Sequence, residues 1–136
     1  MKTAILAFML FSACSAFKFK VHPDVVKSWA GVVTPYSEEC AAETNVNSKE
    51  QFTAIFSMNF PDTHEFHCFT ECILRRWGIY DPETGALDLK RFEDSAVGFN
   101  ADITQKCYGK SKHIVDHCEK IFSAINCVIT NLFKDQ

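Results

Sequence analysis

Cys68-Phe69-Thr70-Glu71-Cys72 is the stretch whose reading decides the fold. It lies within a strongly helical segment, Asp62 to Gly78. Asp62 with Glu65 forms a capping box at its start, and Gly78 supplies the stop. Cysteines four apart fall one helical turn apart and point to roughly one face. A disulfide inside that turn fits the required Cβ geometry poorly, so each sulfur reaches to a different part of the chain. Cys40 upstream and Cys107, Cys118 and Cys127 downstream are the available partners. The opposite face of the same helix carries Phe66, Thr70, Ile73, Leu74 and Trp77, an apolar stripe with one hydroxyl.

The 136-residue chain is sized for one small domain. Residues 1–16 read as a signal peptide. Lys2 is the sole charge before Lys18, and Ile5 to Phe11 form an apolar run too short to span a membrane. Cys14-Ser15-Ala16 offers small residues for cleavage after Ala16. No second long apolar run follows, so stable membrane insertion is not expected. The mature chain, 17–136, loses Cys14 and keeps six cysteines, an even set that reads as a disulfide framework for an oxidising destination. The formal charge of −3 becomes −4 without Lys2, which argues against nucleic acid or anionic membrane as a partner. Of the 13 Phe, Phe8 and Phe11 leave with the leader. The remainder fill a Phe-rich core or, on the sharper reading, line an apolar cavity.

Periodicity predicts helices throughout. A first helix spans about Asp24 to Val33, and Thr34-Pro35 separates it from a second segment, about Pro35 to Thr44, that carries Cys40. Ser48 with Gln51 reads as a capping box opening a short helix, with Phe52, Ile55 and Phe56 on one face, that ends near Met58. After the central helix and the turn Asp81 to Gly85, the series Leu89, Phe92, Ala96 and Phe99 predicts another amphipathic helix. Asn100 caps a short helix that Gly109 ends. Ile114, Cys118, Ile121, Ile125, Val128 and Leu132 then mark a last helix, with a second apolar row of Val115, Phe122, Ile129 and Phe133. No stretch reads convincingly as a strand. The expected fold class is all-α.

Six cysteines allow fifteen pairings. Cys118 and Cys127 share the last helix, roughly 13.5 Å apart, and cannot bond. Excluding that pair and Cys68–Cys72 leaves ten pairings open. The spacing, however, resembles a known family. Between consecutive mature cysteines lie 27, 3, 34, 10 and 8 residues. The short intervals of three and eight together resemble the insect odorant-binding proteins of the pheromone-binding/general odorant-binding family, over the whole mature chain. The resemblance implies a compact bundle of about six helices with three interlocked disulfides, Cys40–Cys72, Cys68–Cys118 and Cys107–Cys127, around a central apolar cavity for small ligands.

Candidate ligand-binding residues are Phe52, Phe56, Thr70, Leu74, Trp77, Phe92, Phe99, Ile114, Phe122, Ile125 and Phe133. Thr70 either meets a ligand's polar head or bonds its own helix backbone. Tyr80, Tyr108 and Thr130 are weaker polar alternatives. Trp77, and not Trp29, is expected at the ligand. Leu132 to Gln136 is too short to insert into the cavity and at most closes one mouth. An enzyme reading fares badly. Asp116-His117-Cys118 lacks the surroundings of a secreted phospholipase site, and His113 with His117 lacks a third metal ligand. These histidines, with His64 and His67, are expected at the surface. Neither cofactor nor metal is expected. By resemblance the protein is a secreted carrier of odorants or pheromones in sensillar lymph, a monomer or weak homodimer. An olfactory receptor is the further partner that the resemblance allows. Two alternatives stand beside it: a non-olfactory carrier in haemolymph, gut or reproductive fluid, and a disulfide-rich helical interaction protein without a cavity.

Overall fold

The computed structural model describes residues 16–133; the proposed leader, apart from Ala16, and Lys134 to Gln136 lie outside the described residues. The elements run β1 (Ala16–Lys18), α1 (Pro23–Thr44), α2 (Ser48–Phe56), β2 (Asn59–Pro61), α3 (His64–Trp77), α4 (Leu89–Ser95), α5 (Ala101–Ser111) and α6 (His117–Phe133). The fold is all-α, with six helices among the described residues. Helix α3 packs between α1 and α6, α5 packs on α6, and α2 packs on α1.

One continuous helix, α1, replaces the two expected segments. A proline inside a helix removes one backbone bond and costs about 3 kcal/mol. The buried stripe Val26, Trp29, Ala30, Val33, Ser37, Cys40 and Ala41 runs past Pro35 without a break, and its burial outweighs that penalty. Asn45 closes the helix in the left-handed conformation, with its N–H on the carbonyls of Ala41 and Ala42.

Several caps differ from expectation. Asn47, not Ser48, caps α2 by accepting from the Glu50 N–H, while Ser48 Oγ lies 3.1 Å from Ser37 Oγ and ties α2 to α1. Thr63, not Asp62, caps α3, and Gly78 ends it in the left-handed region as expected. Helix α4 stops at Ser95, because Ala96 is extended and Gly98 takes φ +87. Asn100 caps α5 as expected, but the helix runs through Gly109 to Ser111. Asp116 Oδ1 accepts the Glu119 N–H, so α6 begins at His117 and excludes Ile114.

Two short strands were not foreseen. They pair antiparallel, Phe17 opposite Phe60, and lay both rings against Phe122. Pro61 is tolerated because a two-stranded ribbon has only edges.

Three disulfides tie the bundle. Cys40–Cys72 joins α1 to α3, Cys68–Cys118 joins α3 to α6, and Cys107–Cys127 joins α5 to α6. Both α3 cysteines are thus used on long-range bonds. In the chain-entropy picture each contributes about 3–4 kcal/mol by restricting the unfolded chain.

A candidate apolar ligand cavity

Because the cysteines hold one side of α3 against its neighbours, the other side faces the bundle centre. There it borders an apolar cavity of about 90 Å³. All five members of the α3 stripe line it: Phe66, Thr70, Ile73, Leu74 and Trp77. Helix α1 adds Trp29, Val32 and Val33, and α6 adds Phe122, Ile125 and Ile129. The remaining wall comes from Ile55 of α2, Phe60 of β2, Phe92 of α4, and Ala96 and Phe99 beyond it.

Seven of the eleven expected residues therefore meet here: Thr70, Leu74, Trp77, Phe92, Phe99, Phe122 and Ile125. Phe52, Phe56, Ile114 and Phe133 do not. Helix α2 turns Gln51 and Ala54 inward, the small Ala54 allowing close approach, so Ile55 reaches the cavity. Phe56 is 55% exposed and stacks on the half-buried Phe52. Ile114 sits in the loop before α6. Phe133 packs outside the lining, its ring 5.7 Å from that of Trp29. Trp77 was expected at the ligand and Trp29 was not, yet both rings line the cavity. The missed residues carried weak signals. Trp29, Val32 and Val33 were legible only as a helix face, and Phe60 lies in a strand.

Thr70 is the only lining residue with a hydroxyl, amide or charged side chain. Its Oγ1 donates to the Phe66 carbonyl at 3.1 Å. The proton is committed, but the oxygen's lone pairs remain for a donor in the cavity. The Trp29 indole N–H is likewise committed, to the Val97 carbonyl at 2.7 Å. That bond ties the Ala96–Phe99 segment to α1, and the rings of Trp29, Phe99 and Phe92 stack in series at 4.9 and 4.2 Å. The weaker polar candidates lie elsewhere. Tyr80 is bonded to His117, and burial pushes its phenol up to about 12. Tyr108 donates to the Gly85 carbonyl, and Thr130 is exposed.

Behind Phe122 is a polar cluster at the α3–α6 contact. His67 was expected at the surface and is buried. Its ring stacks on Phe122 at 3.8 Å, and its Nδ1 lies 2.7 Å from Glu119 Oε2. Its Nε2 is 3.2 Å from Asp62 Oδ1 but lacks the alignment of a hydrogen bond. Exposed His64 meets the other Glu119 oxygen at 3.0 Å. That hydrogen bond raises the His64 pKa above its ordinary value, with Asp116 and Glu65 adding to the effect. Burial pushes the Glu119 carboxyl up, but its bonds to the two histidines outweigh this and hold it below the usual range. His64, Cys68 and Cys118 also converge, yet the two sulfurs are bonded to each other, which leaves no thiolate for a metal.

Broader depressions lie at the surface. One of about 580 Å³ runs along Arg75, Tyr80 and Asp88, and one of about 540 Å³ lies beside Phe19 and Phe56. Both are more open to solvent, whereas the central cavity is lined by side chains that are almost entirely apolar. Among the described residues no helix is long and apolar enough to cross a membrane.

Comparison with known proteins agrees with this arrangement. The model of the PBP/GOBP family matches residues 23–131, from the start of α1 almost to the end of α6. General odorant-binding protein 99b of Drosophila melanogaster is 24% identical over 108 residues, covering 73% of this chain and 71% of the relative. No solved structure matches the chain. The family match spans every cavity-lining residue and all six cysteines of the bundle, and the chain belongs to the PBP/GOBP family.

Proposed function

We propose that the protein is a secreted carrier that holds small hydrophobic molecules, odorants or pheromones, in its central cavity and moves them through extracellular fluid towards olfactory receptors. The observation that carries this reading is the apolar cavity between the helices with a single hydroxyl, Thr70. Family membership and the odorant-binding name of the Drosophila relative support it. On this reading residues 1–16 are a leader that is removed, and 17–136 are the working carrier. The ligand contacts are the lining residues, and the protein performs no chemistry on its cargo. Thr70 accepts a hydrogen bond from a ligand hydroxyl more readily than it donates to a carbonyl, because its proton is committed to Phe66.

Size bears on a second reading. An apolar cavity of about 150 Å³ admits benzene, so 90 Å³ admits a multi-carbon ligand only if a wall moves. The small volume favours, as the alternative, a helical interaction protein with a filled core. Titration with the fluorescent probe 1-NPN separates the two. A carrier raises probe emission and loses it to competing alcohols; a filled core leaves emission unchanged. Localising the transcript to sensory or to other tissue separates an olfactory carrier from one of haemolymph, gut or reproductive fluid.

A further inference from the structure

The central cavity has a neighbour. Leu74, Phe92 and Ile125 line it on one side and on the other border a second, smaller apolar space of about 10 Å³ between α3, α5 and α6. The polar groups around that second space are already bonded. Thr104 Oγ1 donates to the Asn100 carbonyl at 2.8 Å, and Tyr108 donates to the Gly85 carbonyl at 2.6 Å. A space of this size is at the lower limit for one water and offers it no free partner, so it suits hydrocarbon only.

Position relates this space to the hydroxyl. Thr70 and Leu74 are one turn apart on α3, about 6 Å along the helix axis. A ligand with its head at Thr70 and its tail along α3 therefore meets the Leu74–Phe92–Ile125 partition. The partition is one side chain thick, and its aromatic member stands on α4, a helix without a cysteine. The geometry points to Leu74, Phe92 and Ile125 as an internal partition that sets the ligand's chain length, with the space behind it as the subsite for the far end of a straight-chain amphiphile such as a primary alcohol. This rests on the carrier reading and adds to it a specificity-determining element.

The test is a series of straight-chain primary alcohols, from butanol to dodecanol, each competed against 1-NPN on the mature protein. Each buried methylene strengthens binding about fourfold. In the wild type this gain stops at a break length. Ile125→Ala thins the partition and should move the break outward by one or two methylenes, while the shortest alcohols change less than about twofold. Ala124 borders only the second space, so adding Ala124→Val to Ile125→Ala should return the break to its wild-type position. Should Ile125→Ala fail to fold by circular dichroism, Ile125→Val and Phe92→Leu are measured in the same way. A break that does not move in the folded variants overturns the partition. So does an equal shift in Val32→Ala, which widens the main cavity away from the partition. Alcohols that bind with an unmoved break leave the carrier reading standing; a wild type that binds neither alcohols nor 1-NPN overturns the carrier reading and the partition with it.

Discussion

Two walls of the cavity are held in different ways. The wall made by α1, α3 and α6 is stapled, with Cys40–Cys72 and Cys68–Cys118 linking its three helices in sequence. The wall made by α2, α4 and the Ala96–Phe99 segment contains no cysteine. Ring stacking, the Trp29 to Val97 hydrogen bond and a 3.3 Å bond from Arg91 to the Trp77 carbonyl hold its α4 side. A cavity of 90 Å³ has to widen for any sizeable ligand. The stapled wall fixes the shape, and the unstapled wall is where opening costs least.

Breaking the stapled wall should have the largest effect. Replacing both Cys40 and Cys72 by Ala removes a bond that closes a separation of 32 residues, and should cost about 3–4 kcal/mol in urea denaturation. Gly98→Ala attacks the unstapled wall. A Cβ there would meet Phe133 and Val25 at ordinary contact distance, so the cost is conformational, about 1–2 kcal/mol for φ +87. Amide exchange in α4 should accelerate in this variant while α3 stays protected. Equal acceleration in both helices would show that the two walls open together.

Smaller effects test single groups. Thr70→Val keeps the shape and removes the hydroxyl. Alcohol affinity should fall by about 0.5–1.5 kcal/mol, and alkane-like probes should be unaffected. Equal loss for both would mark a packing defect. The His64–Glu119 contact predicts a pH dependence that is easy to get backwards. His64 has a raised pKa, so its contribution is full below 6.5 and disappears as pH rises through the raised value. Glu119 has a lowered pKa, so its contribution is full above 4.5 and disappears as pH falls through the lowered value. The α3–α6 contact is therefore tightest between these two values, in mild acid. His64→Gln should remove the rise in melting temperature between neutral pH and about pH 5.5, an effect that salt weakens because His64 is exposed. This pair alone strengthens rather than loosens the stapled wall over that range.

Legibility in the sequence followed the range of the interactions. The α3 stripe was complete because a helix with cysteines on one face declares its other face through local periodicity. Asn100 and Gly78 were readable as caps because capping is decided within a few residues. Pro35 misled because its cost is local, whereas the stripe that overrides it is settled by tertiary burial. Phe56 was preferred to Ile55 as a cavity residue because a nine-residue helix with adjacent apolar positions leaves its rotation open. His67 gave no sign of burial, since Glu119 lies 52 residues away and Phe122 one turn beyond that. The strand pair β1–β2 was invisible for a related reason: each strand has three residues and finds its partner only through the fold.

The central claim is that ligand occupies the space between the two walls rather than the exposed Phe52–Phe56 pair. An isotope-filtered NOE spectrum of the labelled mature protein, saturated with an unlabelled medium-chain alcohol, tests this directly. The account predicts cross-peaks from the ligand to the indole protons of both Trp29 and Trp77 and to the methyls of Ile125, with none to Phe52 or Phe56. Cross-peaks confined to Phe52 and Phe56, with Trp29 and Trp77 silent, would contradict it.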